Sequence, residues 1–408
     1  MKQRSSKANR RDFLKTAATV ACPYIITSAA LGAGDRPAAS ERIVLAGIGI
    51  GNQGSGDQNE FLGRGDVQYV AVCDVKKSKR IEAKGRADKK YKNSDCKIYS
   101  DFREVLARPD IDAVHIATPD HWHAIVMIAA CSNGKDVYCQ KPESRTIREG
   151  RLMVDAARRY ARVVSGGSQR VMDDYGKVAR PCWDGEKGTI KEILVNVGRP
   201  SVPCNLAGQP VPDDIDWDMW LGPAPWAPYH EYRVSGSYNI NGTSWRSWSD
   251  YSGGGMTDWG AHKFGGAMFA GNVREQGPVE VIPPDGKDHE WLTYVFANGL
   301  RIYHTPDKQG VDVNVVGTPG EKLPPKPFPA YKGTGGIKGD FIHCVKTREK
   351  PFRDIELAHR TATVCHLGNI AYELKRPLKW DPVKEEFPGD DEANRFLDCA
   401  KREPWQLS

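Results

Sequence analysis

At 408 residues the chain has room for two ordinary domains, each able to bury its own core. With 39% apolar and 27% charged residues, and no apolar run beyond the N-terminal segment long enough to cross a bilayer, it reads as soluble globular protein without a stable membrane anchor. The formal charge of +6 is concentrated at the start: residues 1–39 hold seven Lys or Arg against two acids, a surplus of five, so the near-neutral remainder offers nothing for nucleic acid to hold.

Residues 1–39 have the three parts of an export signal. The basic start contains Arg10-Arg11-Asp12-Phe13-Leu14-Lys15, an uncharged and mildly apolar stretch runs from Thr16 to Leu31, and small residues stand at Ala29-Ala30 and Ala38-Ala39. Paired arginines mark the twin-arginine route, which carries folded proteins. The segment therefore predicts passage through the twin-arginine export machinery, cleavage between Ala30 and Ser40, and a periplasmic or otherwise exported mature chain. Cys22 follows Thr19-Val20-Ala21, a poor lipobox. Nine of the ten cysteines lie beyond the signal, an odd number with no C-x-x-C pair, and read as small core residues.

From residue 40 to 168 strand and helix patterns alternate. Arg42 to Ala46, Val67 to Cys73, Ala113 to Ala117, Asp136 to Cys139 and Arg162 to Ser165 are apolar runs of strand length. Asp57 to Leu62, Ser78 to Tyr91, His121 to Ser132 and Ile147 to Tyr160 fit helices. The alternation predicts an α/β Rossmann domain, a doubly wound parallel sheet with its ligand at the carboxyl ends of the strands.

Directly after the first strand, Gly49, Gly51 and Gly54 form G-x-G-x-x-G, with Asn52 and Gln53 inside the loop. Backbone amides there can approach a pyrophosphate closely, and the following helix favours its charge. Asp74, twenty residues past Gly54 and at the end of the second strand, can accept both ribose hydroxyls and would repel a 2′-phosphate. Loop and acid together predict NAD rather than NADP. Thr118-Pro119 ends a later strand and leads into Asp120-His121-Trp122-His123. His121 and His123 have the spacing of two metal ligands, but no third stands nearby, so no metal is expected. With Thr118 and Pro119 they are read as contacts to the cofactor or the rim of the site.

"ATPDHWHA" (Ala117 to Ala124), "VYCQKP" (Val137 to Pro142) and "GGGMTDWGAH" (Gly253 to His262) resemble the Gfo/Idh/MocA oxidoreductases. "GTGGIKGDFIHCV" and "HRTATVCHLGNIAYEL" are similar to exported members, so the likeness covers essentially the whole chain after the signal. It implies a second domain over residues 169–408, an α+β substrate domain on an open, mostly antiparallel sheet whose C-terminal helix packs back on the first, and sugars or polyols as substrates. The family's Glu-Lys-Pro is matched by Gln140-Lys141-Pro142: Lys141 carries over between nicotinamide and substrate, where its charge can stabilise an alkoxide, while Gln140 departs from the pattern. Both are also expected to border the cofactor. The family's Asp-x-x-x-His is matched by Asp258 and His262. A helix would stack that pair on one face. His262 suits removal of the hydroxyl proton, leaving Asp258 to bind a neighbouring hydroxyl or orient the histidine.

Six tryptophans lie from Trp217 to Trp259. Trp217 and Trp220 read as core, whereas Trp245, Arg246 and Asp250 are candidate substrate contacts. Gly253-Gly254-Gly255 would let the backbone lie close to substrate. Further on, Trp291 to Phe296 and Leu300 to His304 flank Ala297-Asn298-Gly299, a hairpin pattern, and Asp340 to Val345 and Ala358 to Leu374 fit helices.

These readings converge on an exported NAD-dependent oxidoreductase acting on a sugar or polyol hydroxyl, with a homo-oligomer expected. Outside the cytoplasm there is no nicotinamide pool, so the cofactor is expected to travel bound and to be regenerated within each cycle. The alternatives are a redox-neutral glycoside hydrolase, for which His262, His123 and Tyr251 are candidate extra acids or bases, and a non-catalytic carbohydrate-binding relative.

Overall fold

Runs of Val, Ile, Ala and Cys build the first half because both faces of each strand are covered, which removes any need for alternation. In a computed structural model, which describes residues 37–238, 242–306 and 312–407, these runs form β1 (Ile43–Ile48), β2 (Val67–Cys73), β4 (Ala113–Ile116), β5 (Asp136–Cys139) and β6 (Val164–Gly166), and a short polar strand, β3 (Lys97–Tyr99), joins them. They pair in parallel in the order β3-β2-β1-β4-β5-β6, the doubly wound arrangement in which β1 and β4 flank the ligand crevice. The helices between them are α1 (Asn52–Gly63), α2 (Lys77–Tyr91), α3 (Asp120–Ser132) and α4 (Ile147–Arg159). Strand β3 was not anticipated, because its three residues are largely exposed and form no apolar run.

The second half contributes β7 (Ile190–Val195), β8 (Pro278–Ile282), β9 (Leu292–Phe296), β10 (Arg301–His304), β11 (Val313–Gly317) and β12 (Leu378–Lys379), ordered β11-β7-β10-β9-β8-β12. Only the β10–β7 pair is parallel, so the sheet is mixed and mostly antiparallel. The expected hairpin is β9–β10, with Arg301 opposite Val295 and Gly299 supplying the left-handed turn residue (φ +84°). Helix α5 (Gly260–Ala270) is buried at every residue but Lys263, and its Phe264 and Met268 share a core with Ile193 and Tyr294 of the sheet.

Two further helices join the halves. Phe341 of α6 (Gly336–Thr347) packs beside Phe61 and Tyr138 of the first half, while α7 (Ile355–Leu374) gives Ile355 and Ala358 to the first core and Val364 and Leu367 to the second. All nine described cysteines are free, six of them buried. No helix among the described residues is long and apolar enough to cross a membrane. The twin arginines and the uncharged stretch after them lie outside the described residues. Of the short N-terminal unit that ends at Arg42, the described part holds a single 3-10 turn, Ala39–Glu41.

Candidate active site

The carboxyl ends of β1, β2, β4 and β5 open into a cleft that includes Gly49, Asp74, Thr118, Pro119 and Lys141 in its wall. Its floor is the glycine loop. Gly49 has φ +81°, and a β-carbon there would stand 2.6 Å from the Thr118 nitrogen. A β-carbon on Gly54 would stand 2.0 Å from the Gly49 carbonyl oxygen, whereas around Gly51 there is open space. Two glycines thus serve close packing and the third keeps a side chain out of the cleft, which fits a pyrophosphate at the start of α1. We expect Gly54→Ala to force the loop open and weaken NAD binding by at least about tenfold, measurable by isothermal titration, since the obstructing atom is backbone and cannot rotate away.

Asp74 closes the adenosine end. Its carboxylate accepts from the Ile50 N–H (2.7 Å) and the Lys76 N–H (2.8 Å), so the acid that would hold the ribose also fixes the loop beneath it. Asn52 and Gln53 reach the opposite wall: Asn52 Nδ2 donates to the Gly236 carbonyl (3.0 Å), and the Tyr238 hydroxyl donates to Gln53 Oε1 (3.0 Å). A second crossing lies past Asp74, where the Ser78 hydroxyl donates to Asp214 (2.6 Å) and the Asp216 N–H to the Val75 carbonyl (3.1 Å). The second half of the chain therefore bridges the groove in two places.

Gln140, which departs from the family pattern, has a local cause. Its Nε2 donates to Asp57 (2.9 Å), a fully buried carboxylate on α1 that also receives the Lys338 ammonium (2.9 Å) from α6. A glutamate at position 140 would set two carboxylates against each other away from water; the amide instead supplies a donor.

Lys141 follows at the cleft wall. Its Nζ donates to the Asp258 carboxylate (2.6 Å) and the Asp258 backbone carbonyl (3.0 Å), and Arg246 Nε lies 3.3 Å from the same carboxylate. Burial alone would raise the Asp258 carboxyl, but Lys141 and Arg246 hold it below the usual range, so Asp258 stays ionised. The Arg246 guanidinium is sandwiched near the Trp245 ring (4.2 Å) and the Tyr238 ring (4.8 Å), and all three residues line the cleft.

Asp258 and His262 do not share one unbroken helix. The helical turn Gly255–Asp258 ends at Trp259 before α5 begins, and the His262 N–H donates to the Trp259 carbonyl (3.0 Å). His262 Nδ1 lies 2.7 Å from the Ser168 hydroxyl, so Ser168 rather than Asp258 orients the ring. Burial first, then the charges of Lys141, Arg170 and Arg353, hold His262 well below the ordinary imidazole range.

Other expected contacts are placed elsewhere. His121 donates from Nε2 to the Trp220 carbonyl (3.0 Å) and packs against Trp220 and Tyr251, outside the cleft wall. His123 reaches the Pro142 carbonyl (2.7 Å) and the Thr118 carbonyl (2.8 Å), tying the two strand-end loops together from behind. Tyr251 is fully buried against Arg233, and Asp250 is half-buried outside the cleft. Gly254 (φ +79°) lies against the backbone of Pro200 and Ser201, so this glycine run serves chain packing, not the cleft. Trp217 stacks on Trp220 in a core, as expected, but Trp220 also borders the cleft.

Asp120, weighed with His121 and His123 as a metal ligand and read with them as a contact to the cofactor or the rim, does stand in the cleft wall. Asp120, the first residue of α3, is buried, and neither carboxyl oxygen meets a donor in hydrogen-bonding geometry among the described residues. In sequence it passes for the acid that commonly opens a helix.

Comparison with known proteins finds two family profiles along the chain. The profile of the Gfo/Idh/MocA NAD-binding Rossmann fold matches residues 42–168, and that of the family's C-terminal alpha/beta domain matches residues 201–407. A glycosyl hydrolase family 109 protein of Saccharopolyspora erythraea is 30% identical over 178 residues, 39% of each chain. The levoglucosan dehydrogenase of Pseudarthrobacter phenanthrenivorans is 48% identical over 59 residues, 14% of this chain and 15% of that one. The matches therefore span about two fifths or less of the length of these curated relatives. An NAD-binding protein from Listeria innocua superposes with a TM-score of 0.58 at 19% identity, over 83% of this chain and 97% of that one, a likeness of fold. With both halves matched in order, the chain belongs to the Gfo/Idh/MocA oxidoreductase family.

Proposed function

We propose that the protein is an NAD-dependent oxidoreductase acting on a hydroxyl of a sugar, with a nucleotide that stays bound and is regenerated within one catalytic cycle. The observation that carries this reading is the continuity, in one cleft, of the glycine loop and Asp74 with Lys141 and Arg246, the two cations that share Asp258. Bound there, NAD would supply hydride exchange with the alcohol carbon. Lys141, fixed by two acceptors, donates to the alkoxide that forms as the hydroxyl proton leaves. His262, neutral at neutral pH, takes that proton, with Ser168 holding its ring. Arg246 and Trp245 present a cation and an aromatic face to the ring of the sugar.

Retention of the cofactor is supported by the bridges over its groove, from Gly236 and Tyr238 to Asn52 and Gln53. It accords with export by the twin-arginine route, which we propose for this chain on its N-terminal sequence. The experiment is mass spectrometry of the nucleotide released when dialysed protein is denatured. Near-stoichiometric NAD is expected, reduced on mixing with substrate sugar; absence of nucleotide together with no NAD binding would overturn the reading. Tyr238→Ala should lose its nucleotide on dialysis several-fold faster than the parent, because one of the groove's bridges is gone.

A second reading, a redox-neutral glycoside hydrolase, is favoured by one observation, the unpartnered carboxyl of Asp120 in the cleft wall.

A further inference from the structure

Oxidising an alcohol requires one proton acceptor and one stabiliser of the alkoxide, roles that His262 and Lys141 fill. The wall holds a further titratable group that this step leaves unused. Asp120 lies four residues past the end of β4 and Lys141 two past the end of β5, and these strands pair in register, Ile116 opposite Cys139. Both residues therefore emerge at neighbouring strand ends into the same cleft. The Asp120 side chain is 1% exposed, and no donor in hydrogen-bonding geometry holds either oxygen. Facing it are Asp258 from the turn before α5, Arg246 from the 3-10 turn Trp245–Ser247, Lys141 after β5 and the Ser252 hydroxyl.

We propose that Asp120 is the general acid of a glycoside-cleaving cycle run at this site, protonating the oxygen of the departing substituent. This rests on the reading that the site first oxidises a sugar alcohol. Burial foremost, with the Asp258 charge second, pushes the carboxyl up to about 8 against the pull of the Ser252 hydroxyl, Arg246 and Lys141, so it carries its proton at neutral pH. The substrate class is a glycoside whose oxidisable alcohol stands two carbons from the anomeric centre.

Once that alcohol is a ketone, the C–H of the intervening carbon is acidic. Its proton passes to His262, which has returned the earlier hydroxyl proton to water. The C–H electron pair becomes a C=C bond to the anomeric carbon, the bond from that carbon to the glycosidic oxygen breaks, and the Asp120 proton goes to the departing oxygen. Water then adds across the double bond: its oxygen joins the anomeric carbon, one of its protons restores Asp120, and His262 returns the carbon-bound proton. Reduction of the ketone completes hydrolysis with no net change in the cofactor. Simple dehydrogenation uses no such second donor, which is why an acid poised in the wall points to cleavage.

The test compares Asp120→Asn with the parent on methyl and para-nitrophenyl glycosides of glucose, galactose and N-acetylgalactosamine in both anomers. Nitrophenolate departs without a proton, whereas methoxide requires one. The variant should lose about 100-fold or more in kcat/KM on the methyl glycoside and less than about fivefold on the nitrophenyl partner. In the parent, methyl-glycoside cleavage should fall as pH rises past about 8, where Asp120 gives up its proton, while nitrophenyl cleavage should not. This arm uses the unaltered protein and so carries the test if the variant fails to fold. Near-ultraviolet absorbance of the bound nicotinamide gives a readout separate from cleavage. A parent that reduces its nicotinamide with these sugars but releases neither methanol nor nitrophenol would overturn the proposal alone, as would equal losses on both substrates or none on the methyl glycoside. A parent that reduces no nicotinamide with any of them would overturn the underlying oxidoreductase reading as well.

Discussion

Replacing Lys141 by methionine is expected to lower sugar oxidation by about 1,000-fold while leaving the bound nucleotide in place. The thioether keeps the length of the side chain but removes the ammonium held between the Asp258 carboxylate and carbonyl. Without it, charge developing on the substrate oxygen meets no cation at that point of the wall. Asp258 keeps Arg246 as a partner at 3.3 Å, so the variant should fold. Arginine at 141 should not restore the rate, since a planar guanidinium cannot occupy the position of a compact ammonium between these two acceptors. Single-turnover reduction of the bound nicotinamide, read alongside nucleotide content and melting temperature, checks the expectation. A Lys141→Met protein that turns over at the parent rate would assign the chemistry to another residue.

The largest loss of stability is expected from a residue that does not itself line the cleft. Lys338 joins α6 to α1 by placing its ammonium 2.9 Å from Asp57 and 2.8 Å from Glu60, with both Lys338 and Asp57 buried. Although burial opposes its charge, Asp57 and Glu60 hold the lysine above its ordinary range. Lys338→Met should destabilise the fold by roughly 3–5 kcal/mol, because Asp57 would keep the amides of Gln53 and Gln140 but lose its counter-charge. Adding Asp57→Leu should recover much of that loss, as removal of both ions costs less than removal of one. Urea unfolding of the single and double variants measures both. No recovery in the pair would mean that Lys338 acts through packing alone.

How far the sequence foretold the structure varied with the kind of signal. Val67 to Cys73 and Asp136 to Cys139 were readable as strands to the residue because a strand covered on both faces is apolar along most of its length. In the second sheet, β11 alternates buried and exposed over five residues, a pattern too short to separate from loop. Among the site residues, Gly49, Asp74, Lys141 and Arg246 do share one cleft. His121 and His123 have the sequence appearance of ligands, but Nε2 of His121 and both ring nitrogens of His123 face backbone carbonyls, something only the fold can reveal. Lys338 could not be found from local pattern, since its partner lies on α1 at the other end of the chain. Gln140 looked like a lapse from the family motif until Asp57 appeared beside it.

The interruption of the helix at Trp259 has an evolutionary consequence. Because one of the two acceptors on Lys141 is the peptide carbonyl of residue 258, part of the lysine's anchorage belongs to the path of the chain and survives any exchange of side chain there. Lineages could therefore vary the side chain at 258 while keeping the ammonium in place. New sugars could be explored by point mutation without first rebuilding the reaction centre.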